Sequence, residues 1–381
     1  MGKKLETQNN ETIRILHYIP AFQYGGIESF VINLYKNINK DIIQFDFLIE
    51  TKMDLSLKEK ILAMGGQVYE INSIKNIVPY IKEIYHILKE NQYKIIHCHS
   101  IQTRPIVSII AKILHIPIRI VHSHSRQFNN KKHILLRKMM QNIAIKCSNH
   151  FMACSQEAAD FLFKKDTKVK ILYNGIEINK FIYQEKQREK IRKELKIKDD
   201  ETLLIQIGRM TYLKNQQFTL KIMNLLKKSN QYKLLLIGNG EDEENLKQMT
   251  HNLQLENIVI FLGYKKDIEA YLSASDIFLF PSLSEGLGIS LIEAQVNGIP
   301  CICSKYIPKE VKQNQNVIYL SLEEEHLKEW TDKICEWKDN RIKEVNITEL
   351  SRFNIENVAR QYETYIIKEL NVWKQKQLSI Q

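Results

Sequence analysis

Two glutamates in the second half of the chain, Glu285 and Glu293, flank the start of a predicted helix, Ile289 to Val296. Gly286 and Gly288 lie between them and allow the backbone to approach a ligand closely. The N–H groups at the helix start and the helix dipole would bind phosphate oxygens. We therefore expect Glu285 to contact a ligand that the helix also holds, and Glu293 to accept hydrogen bonds from the two hydroxyls of a ribose. The alternative for both is the ordinary charge of a solvated helix.

Two cations, Arg209 and Lys214, follow Gly208 just beyond a strand that is predicted to end at Ile207. In a doubly wound sheet, ligand-binding groups lie beyond the carboxyl ends of the strands. Two positive charges at such a position could neutralise a diphosphate leaving group. A basic surface loop is the alternative.

A pair of glycines, Gly25 and Gly26, opens a predicted helix after the first strand of the chain. Backbone N–H groups at this position could face a phosphate group. A tight structural turn is the alternative. A third glycine loop, 238–240, precedes an acidic helix start that would repel phosphate, so we expect it to have a structural role.

Two pairs of histidines, His97 with His99 and His122 with His124, end consecutive predicted strands. Residues two apart on a strand share a face, so each pair could point to the same region. Four imidazoles could bind a metal ion. Because no nearby cysteine or carboxylate completes a recognisable ligand pattern, we expect no metal here.

The composition and length predict a folded protein of two domains. The chain has 381 residues, beyond the usual growth of one hydrophobic core, and 44% of them are hydrophobic. The polar N-terminal segment lacks the apolar stretch of a secretory signal, and the apolar segment 106–121 is interrupted by charges and a proline. The six cysteines show no paired spacing. These features predict a cytoplasmic protein that does not cross a membrane.

The net charge of +11 favours an anionic partner, such as a nucleotide diphosphate, an anionic lipid surface or nucleic acid. The segment from Arg126 to Lys146 mixes basic and apolar residues as an interfacial amphipathic helix does. A helix with one face on the core and one in solvent is the alternative. Peripheral contact with an anionic membrane therefore stays open at this point.

Short apolar runs alternate with segments of helical period, which predicts parallel sheets covered by helices, an α/β fold. In the first half, strands are predicted at Ile13–His17, Gln44–Ile49, Gln67–Ile71, Ile95–His99, Ile118–Ser123, Phe151–Cys154 and Lys170–Tyr173. In the second half, they are predicted at Leu203–Ile207, Lys233–Ile237, Ile258–Leu262, Asp276–Phe280, Pro300–Cys303 and Val317–Leu320. The highly charged segment 180–201 is interpreted as a linker with a solvated helix, which puts a domain boundary near residue 180.

In their order, these motifs resemble the retaining glycosyltransferases of the GT-B fold, family 4, in particular the branch that builds capsular polysaccharide, exopolysaccharide and other surface glycans. The resemblance spans nearly the whole chain. It rests on GGIE at 25–28, HCHS at 97–100, HSHS at 122–125, YNGIE at 173–177, GRM with Lys214 at 208–214, and EGLGISLIE at 285–293. The last of these is the E-x7-E pattern of the family.

The resemblance implies two facing Rossmann-like domains: residues 1–180 bind the acceptor, residues 181–353 bind the nucleotide sugar, and the helix in 354–381 crosses back to the first domain. It implies that Arg209 and Lys214 bind the diphosphate, that Glu285 contacts the donor hexose and that Glu293 binds the ribose. A histidine of the pair His122 and His124 would act in catalysis. The remaining residues implied to bind substrate are Gly25, Gly26, His99, Asn174, Gly208, Gly263, Tyr264, Gly286, Leu287, Gly288, Ile289, Ser290 and Leu291.

Family members transfer a sugar with retention of configuration and without a metal or another cofactor. The resemblance therefore implies a nucleotide-sugar donor, with UDP favoured over GDP, and a glycan or lipid-linked sugar as acceptor, with no nucleic-acid partner. The family typically has one catalytic histidine at the end of a strand, often followed by glycine, whereas segment 121–124 of this chain has two histidines, His122 and His124, and no glycine. A nucleotide-sugar 2-epimerase of similar fold and a basic binding protein are the alternatives.

Overall fold

The computed structural model describes residues 12–20, 22, 25–99, 105–126, 134–229 and 231–379. The chain divides into two compact units. The first comprises Met1–Gly175 and Ile355–Gln381, and the second comprises Ile176–Asn354. The first division therefore falls at residue 176, four residues before the boundary expected near residue 180.

The first unit is built on a seven-stranded parallel sheet with the strand order β3-β2-β1-β4-β5-β6-β7. Its strands are β1 (Ile13–Tyr18), β2 (Ile43–Ile49), β3 (Gln67–Glu70), β4 (Ile95–Cys98), β5 (Ile118–Ser123), β6 (His150–Ala153) and β7 (Lys170–Ile171). Its helices are α1 (Gly26–Asn37), α2 (Leu55–Ala63), α3 (Ile77–Glu90), α4 (Ile106–Ile113), α5 (Ile134–Cys147) and α6 (Gln156–Leu162). Nearly all residues of β4 and β5 are buried, which suits strands that are covered by helices on both faces.

The second unit is built on a six-stranded parallel sheet with the order β10-β9-β8-β11-β12-β13. Its strands are β8 (Thr202–Ile207), β9 (Tyr232–Ile237), β10 (Val259–Gly263), β11 (Ile277–Phe280), β12 (Cys301–Ser304) and β13 (Val317–Leu320). Its helices are α7 (Glu185–Glu194), α8 (Gln216–Leu226), α9 (Glu243–Asn252), α10 (Ile268–Ala274), α11 (Ile289–Val296), α12 (Leu327–Trp337) and α13 (Ile347–Leu350). Both sheets are of the doubly wound type, and the predicted α/β fold class is confirmed.

The last helix, α14 (Ile355–Leu378), belongs to the first unit although it follows the second unit in sequence. Its apolar stripe joins the core cluster around β1 and β2, and Val358, Tyr362, Ile366 and Leu370 are buried there. This spacing of three to four residues places all four side chains on one helical face. The predicted return of the C-terminal helix to the first domain is therefore present.

The charged segment near the boundary differs from the expected linker with a solvated helix, because α7 is anchored in the second unit. Arg188 donates a hydrogen bond of 2.7 Å to Asp276, and Arg192 donates one of 3.2 Å to the same carboxylate. Asp276 also accepts the backbone N–H of Leu203 at 2.7 Å. The sequence did not predict this contact, because a buried ion pair and a solvated helix face contain the same charged residue types. Within the described residues, no helix combines the length and apolarity needed to cross a bilayer.

Candidate active site

The loops after β8 and β11 lie side by side in the second unit, at the point where the strand order of its sheet reverses. Ligands of open α/β sheets bind at such a switch point, beyond the carboxyl ends of the strands. The backbone N–H of Leu283 donates to the carbonyl of Leu213 at 2.8 Å, and the side chain of Asn215 donates to the carbonyl of Pro281 at 3.2 Å. These bonds tie the two loops together.

Lys214 and Glu285 meet across these loops as an ion pair. The Nζ of Lys214 lies 2.6 Å from Oε1 of Glu285 and 5.2 Å from the ring centre of Phe280. Both side chains are largely shielded from solvent, with 22% and 11% of their surfaces exposed. The structure thus brings together a cation and a carboxylate that are 71 residues apart in sequence. An ammonium group has three donors, so Lys214 can bind a phosphate oxygen while it keeps Glu285.

Gly208 makes room for the Lys214 side chain. Its φ is +152°, and a Cβ at this position would lie 3.1 Å from Cε of Lys214. Arg209 follows with an exposed side chain, and its backbone carbonyl accepts a hydrogen bond of 3.1 Å from Gln216. In the neighbouring loop, a Cβ on Gly238 would lie 2.2 Å from the Gly208 carbonyl oxygen, which supports the structural role expected for loop 238–240.

A glycine lies at the start of α11, where the sequence predicts a phosphate-binding helix end. Gly288 caps the helix with φ +93° and ψ 55°, a left-handed conformation that glycine adopts without strain. The first N–H groups of a helix have no partner within the helix. The Leu291 N–H, however, already donates to the Gly288 carbonyl at 3.0 Å, so it is less available to phosphate than the sequence suggested. Leu287 is buried, and Ile289 and Ser290 are partly exposed.

Glu293 lies on the second turn of α11 and is partly buried. Burial raises the pKa of its carboxyl from 4.5 to about 7, and the nearby Lys180 and Lys214 charges act in the opposite direction. Raised carboxyl pKa values are frequent in binding sites, because desolvation disfavours the charged form until a ligand supplies hydrogen bonds. A ribose with two hydroxyl donors would supply them.

The predicted histidines of the first unit come together at the carboxyl ends of β4 and β5. The rings of His97 and His99 have centroids 4.1 Å apart, and those of His122 and His124 are 4.0 Å apart, so each pair shares one region as expected. Nε2 of His97 lies 3.1 Å from Nδ1 of His122, and Nδ1 of His99 lies 2.9 Å from Nε2 of His124.

Two further residues form hydrogen bonds with these histidines, and neither was predicted from the sequence. His17, at the end of β1, places Nδ1 3.0 Å from Nε2 of His99. Tyr362 of α14 places its hydroxyl 2.9 Å from Nδ1 of His97. The position of His17 beside the switch point of the first sheet was a usable signal, whereas nothing in the local sequence links Tyr362 to histidines more than 230 residues away. We use "histidine cluster" for His17, His97, His99, His122 and His124.

Four of the five histidines are buried and His124 is partly exposed, and burial of the rings favours their neutral form. Desolvation lowers the pKa of His17 and of His124 to about 3, and it lowers the pKa of His97, His99 and His122 well below 6.5. Three buried ring nitrogens have no hydrogen-bond partner among the described residues: Nε2 of His17, Nε2 of His122 and Nδ1 of His124. Unsatisfied buried nitrogens of this kind are available to a bound substrate.

The cluster also has the donors for a metal ion. Among the described residues, His17 with His97 and His99, and His99 with His122 and His124, each place three ligand atoms within 4.8 Å of one another. Sets of imidazoles suit ions such as Zn²⁺ more than Mg²⁺. Two pairs of these nitrogens are hydrogen-bonded to each other. A metal ion would have to displace the proton that each pair shares. The absence of a metal stays a prediction.

The remaining predicted residues lie at loop and helix positions of their own units. In the first unit, Gly25 caps α1 with φ −145° and Gly26 begins the helix. Asn174 is buried, and its Oδ1 has no hydrogen-bond partner in the part of the chain that the structure describes. In the second unit, Gly263 ends β10 with φ +64° and accepts the Gly238 N–H at 2.9 Å. Tyr264 follows it and is 47% exposed. Gly286 lies in the loop between β11 and α11.

Two family models match the chain in succession. Residues 24–180 match Glycosyltransferase Family 4, and residues 187–352 match Glycosyl transferases group 1. EpsF of Bacillus subtilis, a protein named as a glycosyltransferase, is 28% identical over 338 residues, 86% of this chain and 88% of EpsF.

Two other relatives carry more specific names. A UDP-Gal:alpha-D-GlcNAc-diphosphoundecaprenol alpha-1,3-galactosyltransferase of Escherichia coli is 27% identical over 61% of this chain and 63% of that enzyme. The capsular polysaccharide biosynthesis glycosyltransferase CapH of Staphylococcus aureus is 25% identical over 80% of this chain and 83% of CapH.

The crystal structure of HepE from Anabaena in complex with UDP and glucose matches the fold with a TM-score of 0.78. The identity is 19%, and the match covers 93% of this chain and 99% of HepE. Together with the two parallel sheets, this likeness identifies the GT-B fold. The chain therefore belongs to the glycosyltransferases in which a Glycosyltransferase Family 4 region precedes a Glycosyl transferases group 1 region.

Proposed function

We propose that this glycosyltransferase transfers a hexose or N-acetylhexosamine from a nucleotide diphosphate sugar, with UDP as the nucleotide, to a glycan or a lipid-linked sugar. Transfer retains the anomeric configuration, requires no divalent cation at the diphosphate, and serves the synthesis of a surface polysaccharide at the cytoplasmic side of the membrane. The names of CapH and of the galactosyltransferase relative support the class of product and of acceptor. The UDP in the HepE complex supports the choice of nucleotide.

The ion pair of Lys214 and Glu285 carries this proposal. Glu285 of this pair lies four residues before the first residue of α11. In the proposed complex, Lys214 binds the diphosphate, Glu285 binds the sugar hydroxyls, and N–H groups of the helix bind phosphate oxygens. Arg209, exposed in the same loop as Lys214, adds a second cation. Two fixed positive charges can stabilise the departing diphosphate without a metal ion.

The reaction requires little covalent help from the protein. The bond from the anomeric carbon to the β-phosphate oxygen breaks, and the acceptor oxygen forms its bond to that carbon on the same face. The acceptor proton passes to the departing phosphate oxygen. Positioning and charge stabilisation are then the main contributions of the protein. The neutral ring of His122 or His124 in the first unit would bind the transferred sugar or the acceptor.

Matched substitutions test the site. We expect Lys214→Met and Glu285→Gln each to lower the transfer rate at least roughly 100-fold, as lost transition-state contacts do. Lys221 and Glu324 form an exposed ion pair elsewhere in the second unit. Lys221→Met and Glu324→Gln are therefore controls that should keep the wild-type rate. Wild-type rates in both site variants at saturating donor would contradict the assignment, and a requirement for a divalent cation after EDTA treatment would contradict the metal-free mechanism.

The donor can be identified by protection against thermal unfolding. A ligand that binds only the folded state raises the midpoint in proportion to the logarithm of its concentration. A panel of UDP-sugars and GDP-sugars should show the largest shift for one UDP-sugar. Conversion of that sugar nucleotide to its 2-epimer without any acceptor would instead indicate the epimerase alternative. Activity that is retained at a salt concentration that abolishes polyanion binding would favour the enzyme over the basic binding protein.

An exposed apolar patch on α5 supports contact with an anionic membrane. Leu135, Leu136 and Met139 are 85%, 47% and 53% exposed, and Lys138 beside them is also exposed. Apolar side chains flanked by cations bind anionic bilayers from the surface. The preceding segment 127–133, which contains Lys131 and Lys132, lies outside the described residues.

Vesicle flotation tests this contact. The protein should float with vesicles that contain phosphatidylglycerol, and Leu135→Ser with Met139→Ser should reduce the floating fraction. Leu225→Ser is the matched control, because Leu225 is 52% exposed in the second unit. Equal flotation of the two variants would refute a role for α5.

A further inference from the structure

We infer that Tyr362 is a positioning residue that fixes the ring tautomers of His97 and His122, so that Nε2 of His122 carries a proton and donates a hydrogen bond to the substrate. The inference deepens the proposed function and rests on it for the identity of the substrate. The hydrogen-bonded chain runs from the Tyr362 hydroxyl to Nδ1 of His97 and from Nε2 of His97 to Nδ1 of His122.

The hydroxyl group of Tyr362 determines which atoms donate and which accept in this series of hydrogen bonds. Tyr362 is fully buried, and its hydroxyl forms one hydrogen bond among the described residues, with Nδ1 of His97 at 2.9 Å. Burial raises the pKa of this hydroxyl well above 10, so it keeps its proton. A buried hydroxyl that does not donate leaves its hydrogen unsatisfied. Tyr362 therefore donates, and Nδ1 of His97 accepts.

The rings of His97 and His122 then have only one possible tautomer each. A neutral imidazole has one N–H and one acceptor nitrogen. Since Nδ1 of His97 accepts, its Nε2 carries the proton and donates to Nδ1 of His122 over 3.1 Å. Nδ1 of His122 accepts in turn, so its proton is on Nε2. A second proton on either ring is disfavoured, because burial lowers the pKa of both histidines well below 6.5.

The last group in this series of hydrogen bonds, Nε2 of His122, has no acceptor among the described residues. His122 is only 1% exposed, and its Nε2 has no hydrogen-bond partner among the described residues. A buried N–H without an acceptor is satisfied when a ligand brings one. The ligand atom must be an acceptor, such as a hydroxyl oxygen of the sugar or a phosphate oxygen. His122 thus acts as a neutral hydrogen-bond donor and not as a base.

The same reasoning distinguishes His122 from His124. His124 belongs to the second series of hydrogen bonds in the histidine cluster, which runs from His17 through His99 to His124. Among the described residues, no hydroxyl group sets the direction of this series. Its Nδ1 is unpartnered in the described residues, but either tautomer satisfies its bond to His99. The substrate contact of fixed polarity is therefore that of His122.

Nitrogen NMR of the full-length protein with ¹⁵N-labelled histidine tests the inference without substrate. Long-range ¹H–¹⁵N correlations report which ring nitrogen carries the proton, and the His122 signals are assigned by their loss in His122→Gln. We expect Nε2–H for His122 in the wild type and a mixture of tautomers in Tyr362→Phe. Tyr365→Phe is the matched control, since Tyr365 lies on the same helix and its hydroxyl is 2.9 Å from Nδ1 of His150. That variant should perturb His150 and leave His122 unchanged.

Kinetics supply the second readout. Tyr362→Phe should lower kcat roughly fivefold to tenfold, the factor that one net hydrogen bond represents, with the donor KM little changed. Tyr365→Phe should keep the wild-type kcat. A proton on Nδ1 of His122 in the wild type would overturn the inference, as would a stoichiometric transition metal bound at Nε2. Because the tautomer is measured without substrate, failure of the inference is distinguishable from failure of the proposed function.

Discussion

Glu293→Gln should change the pH dependence of the stability of the second unit. The carboxyl of Glu293 has a pKa of about 7 in the folded chain, raised from 4.5 by burial. Between these two values the folded state binds a proton that the unfolded state has released, so the free energy of unfolding falls as the pH rises. Below pH 4.5 both states are protonated, and well above pH 7 both are ionised, so the loss is confined to that window.

The size of the effect follows from the interval between the two pKa values. One pKa unit corresponds to about 1.4 kcal/mol, so burial of this carboxyl costs up to about 3 kcal/mol at pH 8. The side chain is partly exposed, and residual solvation reduces the figure. Glutamine does not titrate. The free energy of unfolding of Glu293→Gln, minus that of the wild type, should therefore rise with pH and level off near pH 8.

Tryptophan fluorescence can report this unit alone. The chain has three tryptophans, and in a Trp373→Phe background the two that remain, Trp330 and Trp337, both lie on α12 of the second unit. Trp330 is fully buried, so its emission should shift when the unit unfolds. Urea unfolding from pH 5 to pH 8 gives the difference between variant and wild type. A difference that is flat over this range, or that falls with pH, would refute the raised pKa.

Two other substitutions probe the same unit. Gly288→Ala places a side chain in a left-handed conformation, φ +93°, and should cost about 1–2 kcal/mol of stability and weaken UDP binding; an unchanged unfolding midpoint and affinity would exclude a strained cap at α11. Asp276→Ala leaves the buried guanidinium of Arg192 without its carboxylate and should destabilise the second unit by about 3–5 kcal/mol in urea unfolding, whereas a cost below 1 kcal/mol would show that α7 is held by other contacts.

The secondary structure of this protein could be predicted from local sequence. The thirteen predicted strands correspond to β1–β13, and α11 has the predicted bounds, Ile289–Val296. The reason is that apolar runs of four to six residues and helical periodicity are properties of neighbouring residues. The groups expected after β8 and β11 could be placed for the same reason, because parallel strands present their carboxyl ends at one edge.

The tertiary structure decided the hydrogen-bond partners in the loops after β8 and β11 and in the histidine cluster. The pairing of Lys214 with Glu285 and the partner of Tyr362 depend on which strands are neighbours and on where α14 crosses the first sheet. The hydrogen bond from Leu291 to Gly288 depends on how the helix begins.

The amino-acid sequence by itself determined the α/β class, the succession of elements and most of the residues with chemistry, since these follow from residue type and period. Only the tertiary structure decided that His17 and Tyr362 join the histidines, and that the charged helix α7 is bound through Arg192 and Asp276. Burial and partnership are properties of the folded chain. A histidine, a tyrosine hydroxyl or an arginine has the same local sequence signal whether it faces water or a single buried acceptor.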